Sequence, residues 1–350
     1  MKPFDMHEDY VRPYWQGGVI TDESILPLYK KGESGELSIR LMNDIKRVLR
    51  VQKATRDVVY TEGKDYFVRD GLLVIPEGSA IPVMSWETYN PAEPPDAHSF
   101  KCKDGGYLIF GEGNYFHSQQ YVVTYESASN CFDGHYVPEK SPLLEKSIAK
   151  LGHDTLKLAF YGDSITFGCN ASGLLQGLPP YMPIYPKLTA EVLERRGYSI
   201  HYYNPSIGGK STPWGRDEAT FYFDEFQPDL TVIAFGMNDG TGRLPVEDYI
   251  ANTRSIIHTI RAKRPDAEFI LVTTTLPNAI STFVGLQEAY QAPLTALAAE
   301  EGCALLDMTE LHRTILTRKP YHDMTGNNIN HPSDFLARVY AQGVLALLGQ

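Results

Sequence analysis

Beyond residue 150 the chain repeats apolar strand, loop and amphipathic helix, a rhythm that few folds can accommodate. Five strands are predicted, at 156–161 (LKLAFY), 199–204 (SIHYYN), 229–236 (DLTVIAFG), 268–275 (EFILVTTT) and 303–307 (CALLD). Helical segments such as KLTAEVLERRG, VEDYIANTRSIIHTIRAKR and LQEAYQAPLTALAAEEG lie between them, the last two ending at Pro or Gly. The economical assembly is a three-layer α/β/α unit around a five-stranded parallel sheet.

The residues before 150 read differently. From about residue 19 to residue 127, short β-rich runs alternate with turns: ELSIRL, RVLRV, DVVYT, DYFVRD, LLVIPE, YLIFGE and QYVVTYE. Asp70-Gly71 between two of these runs can supply the positive φ angles of a type I′ hairpin. A β-sandwich or jelly-roll over 1–150 and an α/β domain over 151–350 are therefore expected, and 350 residues at about 150 per domain also suggest two. The Pro-rich NPAEPPD (Asn90 to Asp96) reads as a loop.

Hydrophobic residues make up 43% and charged residues 21%, the composition of a globular chain. A formal net charge of −11 opposes broad affinity for phosphate backbones or anionic membranes, so neither nucleic acid nor membrane is an expected partner. The 4 cysteines (Cys102, Cys131, Cys169, Cys303) form no CxxC pair, so no zinc site or disulfide framework is expected. The amino terminus, MKPFDMHEDYVRPYW, lacks the apolar stretch of a secretory signal, and cytoplasmic residence is the expectation. The oligomeric state is not legible.

In open parallel sheets ligands bind beyond the carboxyl ends of the strands, so the residues following each strand carry the chemistry. The first strand leads into Gly162-Asp163-Ser164-Ile165-Thr166, the second into Pro205-Ser206-Ile207-Gly208-Gly209, and the third into Gly236-Met237-Asn238-Asp239. Asn330-His331-Pro332 precedes the final helix, DFLARVYAQGVLALL. A serine hydroxyl needs a base to take its proton, and an imidazole that titrates near neutrality is suited to that work. Glycine at 208 would let the backbone approach a substrate closely.

GDSIT, the glycine-bearing second loop, GMND and the late HP resemble, in order, the four blocks of SGNH (GDSL-like) hydrolases, over about residues 155–350. The resemblance implies a flavodoxin-like domain in which Ser164 is the nucleophile and His331 its general base. The Ser164 N–H, the Gly208 N–H and the Asn238 amide would form the oxyanion hole, with no metal or organic cofactor. The preceding β-rich module resembles the layout of several carbohydrate esterases, which implies a short-chain acyl ester, acetyl above all, on a carbohydrate. A lipase, thioesterase or acyltransferase would use the same residues, and a carbohydrate-binding protein with a decayed site is a third reading.

One departure motivates that third reading. The family places Asp three residues before the histidine, where this chain has Asn328. An amide cannot supply charge to an imidazolium, so His331 must be oriented otherwise. A main-chain carbonyl near Asn328 is the favoured candidate, and Asp323 swinging in is the alternative. Asp163, Trp214 and Arg216 are candidate lining residues of the substrate cleft.

Blander roles stand beside these. Ser164 could cap the helix that follows it. Asn238 could be a turn residue, and His331 a surface histidine at a helix start. His322-Asp323 with His331 lacks the spacing of a metal site. GGKST has Asn204 where a phosphate-binding loop needs glycine, and Cys169 reads as a small buried hydrophobe.

Overall fold

A computed structural model describes residues 8–95 and 98–350. The first seven residues of the amino-terminal segment and Asp96 of the NPAEPPD stretch lie outside the described residues. In the first part of the chain β1 (Val19–Ile25), β2 (Leu37–Ile39), β3 (Ile45–Lys53), β4 (Val59–Tyr60), β5 (Phe67–Arg69), β6 (Leu72–Ile75), β7 (Ser99–Lys101), β8 (Tyr107–Ile109) and β9 (Tyr121–Ser127) build antiparallel sheets. Their orders are β1-β9-β3-β4, β2-β6-β5 and β7-β8. Asp70 and Gly71 take φ of 53° and 75°, the signs that a type I′ turn demands, and pair Arg69 with Leu72 across the hairpin.

The sequence reading names no strand at β1 or β7. In β1 the polar run TDES conceals a buried strand, with Asp22, Glu23 and Ser24 all nearly inaccessible. The two carboxylates are paired inside the protein, the condition under which buried charges are tolerated. Asp22 meets Arg56 at 2.7 Å and Arg50 at 3.3 Å, and Glu23 meets Lys319 at 2.6 Å.

The second part contains the five expected strands, β10 (Thr155–Gly162), β11 (Ser199–Tyr203), β12 (Leu230–Ala234), β13 (Glu268–Val272) and β14 (Ala304–Leu306). All are parallel, in the order β11-β10-β12-β13-β14, which is the flavodoxin-like arrangement. Because side chains alternate across a strand, Ala159 and Tyr161 face one layer while Leu156, Leu158 and Phe160 face the other. The first layer packs on helices Thr212–Phe223, Val246–Lys263 and Gln291–Glu300. The second packs on helices Tyr185–Arg195 and Asp334–Leu347.

That second layer does not stop at residue 150. One apolar cluster runs from Val11 and Tyr14 through Val123 and Tyr125 to Phe160, Phe335 and Leu348. Tyr14 stacks on Phe335 with ring centroids 5.0 Å apart, and burying a large apolar side chain of this kind contributes about 1.5–3 kcal/mol. The β-rich part thus shares a core with the face of the parallel sheet that carries the last helix.

Candidate active site

Strand β10 ends in Gly162, where a Cβ would come within 2.4 Å of the Ala234 carbonyl on the neighbouring strand, so only glycine permits this close approach. The next residue, Asp163, caps the short helix Ser164–Phe167 by accepting the Ile165 N–H at 3.0 Å. This rules out the blander role for Ser164 and corrects one expectation. Ser164 is not the cap, and its hydroxyl is left for other work. Asp163 does not line a cleft, for it is 1% exposed behind the serine. Burial, helped by the charge of Asp239, pushes its carboxyl up to about 7 against the pull of the Ile165 and Met237 N–H groups.

His331 brings its Nε2 to 2.9 Å from Ser164 Oγ, across a sequence separation of 167 residues. Its loop is shaped by Asn327, whose Oδ1 accepts the N–H groups of Ile329, Asn330 and His331 at 2.9–3.0 Å. The loop closes where Gly326 N–H donates to the His331 carbonyl at 2.8 Å. Both side chains are largely enclosed, Ser164 at 4% exposure and His331 at 8%.

The other ring nitrogen, Nδ1, faces two acceptors, Asn170 Oδ1 at 2.8 Å and the Glu112 carboxylate at 3.2 Å. Asn170 commits its Nδ2 to the carbonyls of Gly326 (3.1 Å) and Gly113 (3.2 Å), which turns Oδ1 toward the ring. Acceptors at Nδ1 favour the tautomer that carries its proton there, which leaves the Nε2 lone pair facing Ser164 Oγ. Burial by itself would raise the Glu112 carboxyl, but the His331 ring and the Asn327 amide outweigh it and hold it below its ordinary range.

Neither expected orienting group reaches His331. Asn328 is fully buried and engaged elsewhere: Oδ1 accepts from Tyr89 Oη at 2.8 Å, Nδ2 donates to the Ile109 carbonyl at 3.0 Å, and its own carbonyl accepts from Asn278. Asp323 accepts the Leu26 N–H at 2.7 Å and pairs with Lys319 at 3.3 Å, so a buried ionic cluster holds it in place. His322 lies against Tyr89, and among the described residues no group of three His, Cys, Asp or Glu side chains could hold a metal ion.

The second and third loops are drawn to the same rim. Asn204 Nδ2 donates to the Thr166 carbonyl (2.9 Å), and Gly162 N–H donates to Ser206 Oγ (2.9 Å). A Cβ on Gly208 would lie 3.8 Å from the Ser164 Cβ, so this backbone passes directly beside the serine. Asn238 donates one Nδ2 proton to the Lys210 carbonyl at 2.9 Å, which fixes the amide and leaves it a second N–H.

Of the two residues expected at the cleft, Trp214 is half-buried against the sheet and Arg216 is exposed on the helix Thr212–Phe223. Trp214 joins Tyr161, Tyr222 and Phe235 in an aromatic layer, and Arg216 bonds Asp217 and Asn252. Cys169 lies near Gly208, and burial, reinforced by Glu112 and Asp163, pushes its thiol up to about 12, which keeps it protonated.

Sequence reasoning missed Glu112, Asn170 and Asn327. The signals were slight: a glutamate between two glycines in GEGN, and two asparagines with no fixed spacing to the serine. Glu112 also closes an open groove of about 540 Å³ whose walls include Glu87, Thr88, Pro91, Phe110 and Tyr115.

An α/β/α fold with a hydrogen-bonded serine and imidazole on its strand-end loops is the architecture of a broad class of hydrolases. This chain belongs to the GDSL-like Lipase/Acylhydrolase family, whose model matches residues 160–338. It is 29% identical over 105 residues to an arylesterase of Vibrio mimicus, a match covering 30% of this chain and 48% of the relative. The match thus spans about half the length of that relative.

Among solved structures, the chain is similar to Axe2, an acetylxylan esterase from Geobacillus stearothermophilus, at 19% identity and a TM-score of 0.47 over 56% of this chain and 94% of that one. It is also similar to a two-domain esterase active on acetylated mannans, at 19% identity and a TM-score of 0.48 over 59% and 52% of the two chains.

Proposed function

We propose that this protein hydrolyses a short-chain carboxylic ester, acetyl above all, on a carbohydrate. The observation that carries the hydrolase reading is the 2.9 Å contact between Ser164 Oγ and His331 Nε2, on a ring whose Nδ1 faces acceptors. In the first half-reaction Oγ adds to the acyl carbonyl as Nε2 takes its proton. The N–H groups of Ser164 and Gly208 and the amide of Asn238 receive the oxyanion. Collapse expels the alcohol, which takes the proton from His331 and leaves an acyl-enzyme. Water then repeats the sequence and releases the acid.

Two features support the substrate. Ser164 is nearly enclosed, with Cys169 and the Gly208 backbone close by, so the space beside it suits a small acyl group. The adjoining groove offers the flat apolar faces of Phe110, Tyr115 and Pro91 beside the polar Glu87 and Thr88, a lining suited to a sugar ring. The decayed-site reading loses its motive, since a carboxylate other than the missing aspartate stands on the imidazole.

Turnover of p-nitrophenyl acetate tests the reaction. Ser164→Ala and His331→Ala are expected to remove nearly all of it, and turnover surviving in Ser164→Ala overturns the reading. A panel of acetylated sugars against long-chain and thioester substrates tests the substrate, with preference for the acetylated sugars expected. Preference for long acyl chains would make it a lipase.

A further inference from the structure

We infer that Glu112, carried by the β-rich part of the chain, is the charged partner of His331 in place of the acid missing at position 328, while Asn170 fixes the tautomer. This rests on the hydrolase reading, and it divides between two residues the work that one aspartate does in a triad. As the serine proton reaches Nε2, the ring becomes a cation. Asn170 Oδ1 at 2.8 Å offers it only a dipole, whereas both Glu112 oxygens lie 3.2 Å from Nδ1 and offer a full charge.

The placement of Glu112 is built from several directions. Three asparagine amides of the α/β part donate to successive acceptors along residues 109–113. Asn328 Nδ2 bonds the Ile109 carbonyl at 3.0 Å, Asn327 Nδ2 bonds Glu112 Oε1 at 3.0 Å, and Asn170 Nδ2 bonds the Gly113 carbonyl at 3.2 Å. The amide at 328 is thus a donor that holds the segment bearing the carboxylate. An aspartate there would set one oxygen against the Ile109 carbonyl and loosen the segment. Absence of the family acid and presence of Glu112 are two sides of one arrangement.

Other titratable groups around the Ser164–His331 pair do not compete for this role. The Cys169 thiol stays protonated, and Asp163 is buried behind the serine with its carboxyl at the Ile165 and Met237 N–H groups. Glu112 is 44% exposed in the open groove, so its charge is partly screened there, and a substrate filling the groove would strengthen its effect on the ring.

The test is Glu112→Gln, which keeps the shape and removes the charge, with Glu112→Asp as the charge-retaining control. The midpoint of His331 is read by NMR titration of the substrate-free protein, its resonance assigned with His331→Gln. Loss of the neighbouring anion destabilises the imidazolium, so the midpoint moves to lower pH in the Gln variant relative to wild type and to the charge-retaining Asp variant. The acidic limb of kcat/KM for p-nitrophenyl acetate moves the same way. Its plateau falls by about 10- to 1000-fold, short of the roughly 10⁴-fold loss where the tautomer is lost as well.

A midpoint unmoved in Glu112→Gln overturns the inference, even if the rate falls, because a purely structural role would lower the rate alone. Partial unfolding cannot counterfeit the shift, since the midpoint belongs to folded molecules. The NMR readout needs no turnover, so failure of the hydrolase reading, seen in Ser164→Ala, is distinguished from failure of this one.

Discussion

The side-chain amide of Asn328 donates to the carbonyl of Ile109 at 3.0 Å, joining the loop that carries the imidazole to the strand that leads into Glu112. Residue 328 has φ of 73°, a left-handed conformation that Asn and Asp both tolerate, so exchanging one for the other isolates the hydrogen bonds from the backbone. Asn328→Asp, which restores the usual family residue, is expected to lower kcat/KM. It should also destabilise the fold by about 1–3 kcal/mol, the cost of a buried acceptor left without its donor. Urea unfolding and steady-state kinetics check both, and a more active Asp variant would sink the account.

Asn238 is expected to act through its second amide proton. Asn238→Ala should lower kcat by about 10²–10³ while the melting temperature changes little, as for other oxyanion donors. Steady-state kinetics beside a thermal melt separates this from a turn residue, whose loss would show in the melt instead.

Gly326 passes so close to Asn170 that a Cβ on it would fall 2.4 Å from the Asn170 Cβ. Gly326→Ala should therefore push Asn170 off the ring. The expected outcome is a kcat/KM loss of at least about tenfold, and crystals of the variant should show a lengthened Asn170–His331 contact.

Asp163 gives a pH prediction with a definite sign. Its carboxyl titrates at about 7 in the folded protein against an ordinary 3.8, raised first by burial. The folded state therefore holds a proton that the unfolded chain has released. The stabilisation is complete below about pH 4 and is lost as pH rises to about 7. In Asp163→Asn that loss is absent, so the melting temperature of the variant relative to wild type should climb across this window. A constant difference across it would refute the assignment.

Lys319 lies fully buried between Glu23 at 2.6 Å and Asp323 at 3.3 Å, with the Ser24 carbonyl at 2.9 Å. Lys319→Met leaves two buried carboxylates without their cation, which should cost about 3–5 kcal/mol by denaturant unfolding at pH 7.

Much of this was legible in the sequence because it rests on local periodicity. Strands β10, β12 and β13 announced themselves as apolar runs largely buried on both faces, and Asp70-Gly71 announced its hairpin through the φ angles it must adopt. The Ser164–His331 pairing was legible because both residues sit at strand-end or helix-start positions that the parallel sheet brings to one rim. Strand β1 was not, because its TDES run looks solvated until Lys319, Arg56 and Arg50 are seen paired with it. Glu112 was not, because its meaning depends on a contact 219 positions away.

Arg338, on the helix that starts just past His331, donates to the carbonyls of Thr21 (3.0 Å) and Asp22 (2.5 Å) on the first strand. The strand and the imidazole loop are thereby bolted to a common strut. A protease cut between the two halves would leave a product whose fragments still cling together, whereas a gene shortened to start at residue 151 would yield a polypeptide missing both the strand that Arg338 holds and Glu112. For anyone trimming or fusing this enzyme, the seam that looks dispensable in the sequence is where the machine is fastened.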